Sequence, residues 1–399
     1  MTRFVDNGYV FITEAKAREL SGCEAFPGDL VFTAAGTLGQ VGLIPVGAKY
    51  PRYIISNKQM RVRMDLTRMD ALFAFYWFAS PAMVRYIQQR NTGSSVPLIN
   101  LSVLRNLPLP LPPLEEQRTI ANVLGMLDDK IGLNKHMNKT LESMARAVFQ
   151  SWFVDFDPVR ARINGRQPFG MNVRTARTFS SSFVDSLLGG IPVGWTAETF
   201  DRTINLIGGG TPKTSCAEYW NGDLPWFSVI DAPDSNNVFV IDTEKHITQL
   251  GLNNSSARLL PIGTSIISAR GTVGRCALVG KPMAMNQSCY AVRGKHEGTD
   301  YYTYFALRQA VAELQQNTHG SVFDTITRDT FASIQVVVPP PEIAQSFDRT
   351  VLPLMQRILA NLHEIATLTE LRDTLLPKLM SGEVRVRDEE KIVEGKIAL

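Results

Sequence analysis

Two glycine-bracketed turns hold the residues of this chain best suited to gripping another molecule. Gly36-Thr37-Leu38-Gly39 lies in the first half and Ala269-Arg270-Gly271-Thr272-Val273-Gly274 in the second. Glycines let backbone N–H groups approach a phosphate, Thr37 and Thr272 add hydroxyl donors, and Arg270 can grip phosphate or pair with a guanine edge. Thr33 and Ser268 end the strands that lead into these turns. Asn57-Lys58-Gln59 and Asn286-Gln287 follow the second strand of each half, and such amides pair bidentately with adenine. A polar strip comes next, Asn91-Thr92-Gly93-Ser94-Ser95 or Asn317-Thr318-His319-Gly320-Ser321. Ser94, Ser321 and Lys213 complete the candidate contacts. Taken singly, each turn also fits a plain hairpin, where glycine supplies positive φ. The same order in both halves favours binding, because core packing does not require polar residues at repeated places.

No catalytic constellation accompanies them. Gly208-Gly209-Gly210-Thr211-Pro212-Lys213 lacks the glycine a phosphate-cradling loop places before its lysine. The proline runs at 108–113 and 339–341 lack the Asn/Asp-Pro-Pro-aromatic pattern of amino-methyltransferases. Cys23, Cys216, Cys276 and Cys289 are scattered, as are the five histidines, so neither a zinc site nor a disulfide framework is expected. No signal peptide opens the chain, and the apolar run Ala71 to Ala79 is too short to span a bilayer. The expectation is a soluble cytoplasmic protein without membrane contact and with no cofactor or metal of its own. Net charge is only +3 over 399 residues. Residues 1–110 carry 12 Lys+Arg against 7 Asp+Glu, and residues 191–338 carry 11 against 13. The first segment could meet phosphate by charge alone, whereas the second needs a local patch.

The elements that must position these residues are duplicated. Ile120, Leu124, Leu127, Ile131, Asn134, Asn138, Leu141, Ala145, Val148 and Trp152 step by fours and threes, the spacing of a heptad seam. Phe347, Val351, Leu354, Ile358, Asn361, Ile365, Leu368, Arg372, Leu375 and Leu379 repeat that seam at an offset of 227. Upstream of each seam lie three strand-like segments, an apolar helix (about 69–90 or 300–316), the polar strip and a last strand running into prolines. The turns themselves align at an offset of 235.

This order predicts an α+β chain. Two similar α/β domains, 1–111 and 191–340, are joined by two long helices, 112–154 and 341–383, which form an antiparallel coiled coil with a pseudo-two-fold axis. Residues 155–190, with Arg160, Arg162, Arg166, Arg174 and Arg177, read as a solvated linker, and 384–399 as a tail. A helix of this kind is on the order of 50 Å long. Asn134, Asn138 and Asn361 either fix the seam's register or lie exposed where the helices splay. Pro353 and Pro377 predict a start or kink near 353 and a bend or end near 377.

Three stretches resemble the specificity subunit of type I restriction–modification systems. They are Gly209-Gly210-Thr211-Pro212 followed by Glu218 to Trp226, Pro112 to Ala121 leading into a long helix, and Leu375 to Glu383. The resemblance implies two target recognition domains, each reading one part of a split site on double-stranded DNA. It also implies that the paired helices space the domains and dock methyltransferase (modification) subunits. Catalysis would belong to those partners and to a restriction/translocase subunit, which would carry S-adenosylmethionine, ATP and magnesium. The chain departs from the pattern at its front, where about 45 residues (191–235) of the second half have no counterpart. The second domain is therefore expected to bind DNA and the first to bind weakly or to need residues absent here. Two other readings stay open on the residues alone. One is a degenerate or truncated scaffold without effective DNA reading, and the other is a self-contained DNA-modifying enzyme.

Overall fold

The computed structural model describes residues 3–93, 96–233, 237–317 and 325–385, with backbone only at 316 and 317. The chain forms two compact units, Met1–Leu133 with Ile365–Leu399, and Asn134–Glu364.

The first unit is built on an antiparallel sheet with Leu30–Thr33 between Val41–Leu43 and Gln59–Val62. Leu30, Phe32 and Met60 point inward, as strand alternation requires, and Phe32 meets Phe78 edge-on at 5.1 Å. The helix expected over about 69–90 is two helices, Ala71–Ala79 and Pro81–Gln88. Pro81 forces Ser80 into extended backbone (φ −63°, ψ 144°), and the Ser80 hydroxyl then accepts the Met83 N–H to start the second helix.

In the second unit a five-stranded sheet runs Phe239–Val240, Cys276–Val279, Ser265–Ser268, Cys289–Gly294, Ile204–Gly208. Its three central strands repeat the first unit's sheet bond for bond. Thr33 N–H donates to Gln40 O at 3.0 Å, and Ser268 N–H to Arg275 O at 2.9 Å. Ala34 N–H donates to Lys58 O at 2.7 Å, and Ala269 N–H to Ser288 O at 2.8 Å. The duplication seen in spacing is thus present in the backbone hydrogen bonds.

Helix Asp300–Asn317 covers this sheet, and its first turn is capped from outside. The Asp348 carboxylate accepts the N–H groups of Tyr301 (2.9 Å) and Tyr302 (2.8 Å). Burial pushes the Asp348 carboxyl up to about 7, against the pull of those two donors. Because this lies above the unfolded value, the folded unit binds a proton between about pH 4 and 7 that the unfolded chain releases. Stability from this group is full below that window and is lost as pH rises through it. Asp348→Asn is expected to flatten the fall across pH 4–7, as read from hydrogen exchange of the Asp300–Asn317 helix.

Residues 155–190 are not an extended tether. They form helices Asp157–Ile163 and Val173–Ala176 and the hairpin Phe183–Ser186 with Gly189–Pro192. Apolar residues between the arginines explain this: Val159, Ala176 and Phe179 are buried, and Phe179 meets Trp152 edge-on at 5.3 Å. Arg160 lies over the Phe183 ring at 5.4 Å and donates to Asp155 O.

The long helices span Leu114–Phe153 and Pro341–Ser381. Within the second unit, Asn361 Nδ2 donates to Asn138 Oδ1 (2.8 Å), Asn134 Nδ2 donates to Glu364 Oε2 (2.9 Å), and Phe149 meets Phe347. Within the first unit, Arg372 Nη1 reaches Asp128 Oδ1 at 2.6 Å. Within the second unit one number rises as the other falls, so the helices run antiparallel there.

Of the seam residues read from sequence, Ile120, Leu124, Ile131, Val351 and Ile358 are buried. Leu127, Leu141, Val148, Leu354, Ile365, Leu368 and Leu375 are half-buried, and Asp128, Glu142, Phe149, Met355 and Leu376 take the inner positions beside them. Asn134, Asn138 and Asn361 are buried and paired, not splayed to solvent. The second helix runs unbroken through Pro353 and Pro377, contrary to the expected kink or stop. Both prolines sit on its exposed side, where the carbonyl freed by each missing N–H can bond water.

Candidate nucleic-acid interface

In the second unit Lys213, Asn286 and Gln287 gather at one glycine-rich loop. Gly209 and Gly210 leave the sheet edge pressed against other backbone. A Cβ on Gly209 would overlap the Asn286 carbonyl, and one on Gly210 would overlap the backbone at Ser256 and Ala257. Only glycine allows that approach. The two tryptophans of the Trp220 to Trp226 segment hold the loop. Trp226 Nε1 donates to Gly210 O (2.9 Å) and Trp220 Nε1 to Lys213 O (3.3 Å), while the two rings meet edge-on at 5.1 Å. The indoles are therefore anchors, with their polar tips satisfied by the loop. The Thr211 hydroxyl, which the sequence reading missed, donates to Gln287 Oε1. Lys213 and Gln287 remain exposed beside it.

The turn after Ser265–Ser268 carries Arg270 and Thr272, both exposed. Ser268 does not face solvent: it is fully buried, its hydroxyl donates to Thr272 O (2.5 Å), and it accepts the Arg275 N–H (2.9 Å). It shapes the turn and is withdrawn from the candidate contacts. Gly271 and Gly274 have φ of 79° and 86°, and Gly36 and Gly39 have 98° and 89°. A Cβ on Gly274 would lie 3.0 Å from Val311 of the covering helix, and one on Gly39 would lie 2.8 Å from Val84. Both turns are thus seated on a helix in the same way.

The strand registers align Thr33 with Ser268 and Gln59 with Cys289. Ser56 is consequently the counterpart of Asn286, and Asn57 that of Gln287, one step off the alignment by residue type. Ser56 Oγ accepts the Lys58 N–H (3.3 Å) as Asn286 Oδ1 accepts the Ser288 N–H (3.0 Å). Asn286 is therefore occupied in shaping a turn. Gln59 Oε1 likewise accepts the Ser56 N–H at 3.1 Å. Asn57, Lys58 and Thr37 are exposed and Thr33 is half-buried. Isolated bridges pair Ala35 with Leu98 and Arg270 with Thr325, so Arg270 of the second unit stands where the first has Ala35. Ser94 and Ser321 lie outside the described residues.

Burial pushes the Cys276 and Cys289 thiols up to about 12 each, so neither is poised as a thiolate nucleophile. Among the described residues no group of His, Cys, Asp or Glu is arranged to hold a metal ion, and no helix is long and apolar enough to cross a membrane.

The chain is similar to known proteins across both units. It is 28% identical over 375 residues to the type I restriction enzyme HindI specificity subunit of Haemophilus influenzae, covering 83% of this chain and 81% of the relative. It is 26% identical over 390 residues to the MjaIX specificity subunit of Methanocaldococcus jannaschii, covering 96% and 84%. In fold it is similar to the crystal structure of a type I restriction–modification S subunit from M. genitalium. That match has a TM-score of 0.54 at 17% identity, over 89% of this chain and 83% of that one. The type I restriction modification DNA specificity domain matches residues 5–143 and 192–372, one copy in each half. With the domain matched twice over most of its length, the chain belongs to the family of type I restriction–modification specificity subunits.

Proposed function

We propose that this chain is the non-catalytic, DNA-reading subunit of a type I restriction–modification complex. Each unit reads one part of a bipartite site on double-stranded DNA, and the long helices dock modification subunits. The observation that carries this reading is the repeated hydrogen-bonded turn frame that presents different side chains in the two units. Where one unit offers Ala35 and Asn57, the other offers Arg270 and Gln287. Two frames of one shape with unlike contact residues suit two unlike half-sites. For docking, Met126 and Leu133 are exposed seven residues apart on the first long helix of the first unit, and Met144 is exposed in the second. S-adenosylmethionine, ATP and magnesium would be held by the modification and restriction/translocase subunits.

The test is methylation by the chain reconstituted with modification subunits, read as the motif methylated across a genome. A gapped motif supports the proposal, and methylation without sequence preference overturns it. Arg270→Ala is expected to weaken binding to that motif by about 1–3 kcal/mol and to relax one base position. Affinity of the parent should fall with added salt as phosphate contacts release counterions. An unchanged motif in the Arg270 variant would assign that residue to phosphate or to scaffold. Ala35 at the place of Arg270 leaves the frame of the first unit one charged side chain poorer.

A further inference from the structure

The two long helices are copies of one pattern, so either could pair with the same helix of a second chain. The register shows which residues would object. Asp128 corresponds to Met355 by the offset of 227, and Ala145 corresponds to Arg372. The Asp128–Arg372 contact of the first unit therefore has a repeat-related place in the second, occupied by Ala145 and Met355. Both are fully buried in one apolar cluster. One of two equivalent seam positions holds an ion pair, and the other holds a methionine against an alanine.

Asp128 and Arg372 are 8% and 5% exposed. Tyr76 donates to Asp128 Oδ2 at 2.8 Å, Arg3 lies 3.8 Å from the same oxygen, and Arg372 also reaches Asp373 at 2.8 Å. Pairing first helix with first helix would set Asp128 opposite Ala145 twice, and pairing second with second would set Arg372 opposite Met355 twice. Each charge would lose its partner across the seam while remaining buried. The asparagines make only part of this choice. Asn134 is the counterpart of Asn361, so first-with-first pairing keeps an asparagine opposite Asn138, whereas second-with-second pairing would set Asn361 opposite Ile365. Glu142 does not make the choice, because its distant partner, Arg308 at 2.6 Å, belongs to the helix Asp300–Asn317 and not to the other long helix.

We propose that the Asp128–Arg372 pair selects pairing of the two unlike helices of one chain and rejects like-with-like pairing with a second copy. A polar contact at one seam position is a known means of fixing partner and register.

The test uses full-length chains. One copy carries Asn134→Cys and the other Asn138→Cys; they are mixed unfolded, refolded together and oxidised. The disulfide joining 134 to 138 between chains is then quantified by mass spectrometry. Those positions meet only in like pairing, since Asn138 otherwise faces Asn361. In a background made symmetric by Asp128→Met with Arg372→Ala, that disulfide is expected to rise at least ten-fold over the parent. Equal yields in the two backgrounds would overturn the proposal. Should the symmetric background not refold, Asp128→Asn with Arg372→Gln replaces it with the same expectation. Failure of both to refold would also overturn it, because the pair would then serve folding itself and not the choice of partner.

Discussion

Arg372→Ala is expected to destabilise the first unit by about 3–5 kcal/mol, the usual penalty for removing one member of a buried ion pair. The loss arises less from the missing attraction than from what remains. Asp128 is 4% exposed in its side chain and would lose its closest cation, while the Tyr76 hydroxyl and the more distant Arg3 stay beside it. Hydrogen exchange of the helix Ala71–Ala79, which carries Tyr76 against Asp128, should accelerate accordingly. Arg372→Lys should recover part of the loss, because a lysine restores the charge but cannot reach Asp128 and Asp373 together as the planar guanidinium does. Arg146→Ala is the control. Its side chain is half exposed and Glu142 keeps Arg308 at 2.6 Å, so a change under about 1 kcal/mol is expected. A loss that small at Arg372 would mean that Asp128 finds another cation.

The second large effect is expected at Gly209. An alanine there drives its Cβ into the Asn286 carbonyl, a backbone atom that cannot turn aside. The loop must lift from the Met285–Asn286 backbone, stretching the bond from Gly210 N–H to Met285 O (2.9 Å) and the Trp226 indole contact. We expect a loss of about 2–3 kcal/mol in the second unit. DNA affinity should fall at least ten-fold, because Thr211 and Lys213 leave the side of Gln287. Gly208→Ala, whose Cβ would meet nothing within 4 Å, should change stability by less than about 1 kcal/mol. Equal behaviour of the two variants would show that the loop has room to adapt.

Much of this architecture was legible in the chain because duplication offers two chances to read each element. The seam spacing located both long helices, and the paired glycines located both turns. What escaped the reading has specific causes. Asp128 and Glu142 were passed over because charged residues suggest solvent, yet each meets an arginine that lies far away in sequence. Ser268 looked like an available hydroxyl because spacing cannot show a side chain folding back on its own turn. The amide alignment slipped by one residue because it matched Asn57 to Asn286 by type, while the hydrogen bonds match Ser56 by role. The two prolines predicted a break because a sequence does not reveal that both fall on the wet side of the helix.

The seating of Gly39 and Gly274 on their covering helices has an evolutionary consequence. Each turn is seated by glycine, backbone and a valine, and the second also by the Ser268 hydroxyl, none of which depends on the identity of the neighbouring contact residue. Position 35 or 270 can therefore mutate without disturbing the frame that presents it. On the DNA-reading role proposed above, two such frames in one gene would let inheritance revise half of an address while the other half stays as it was.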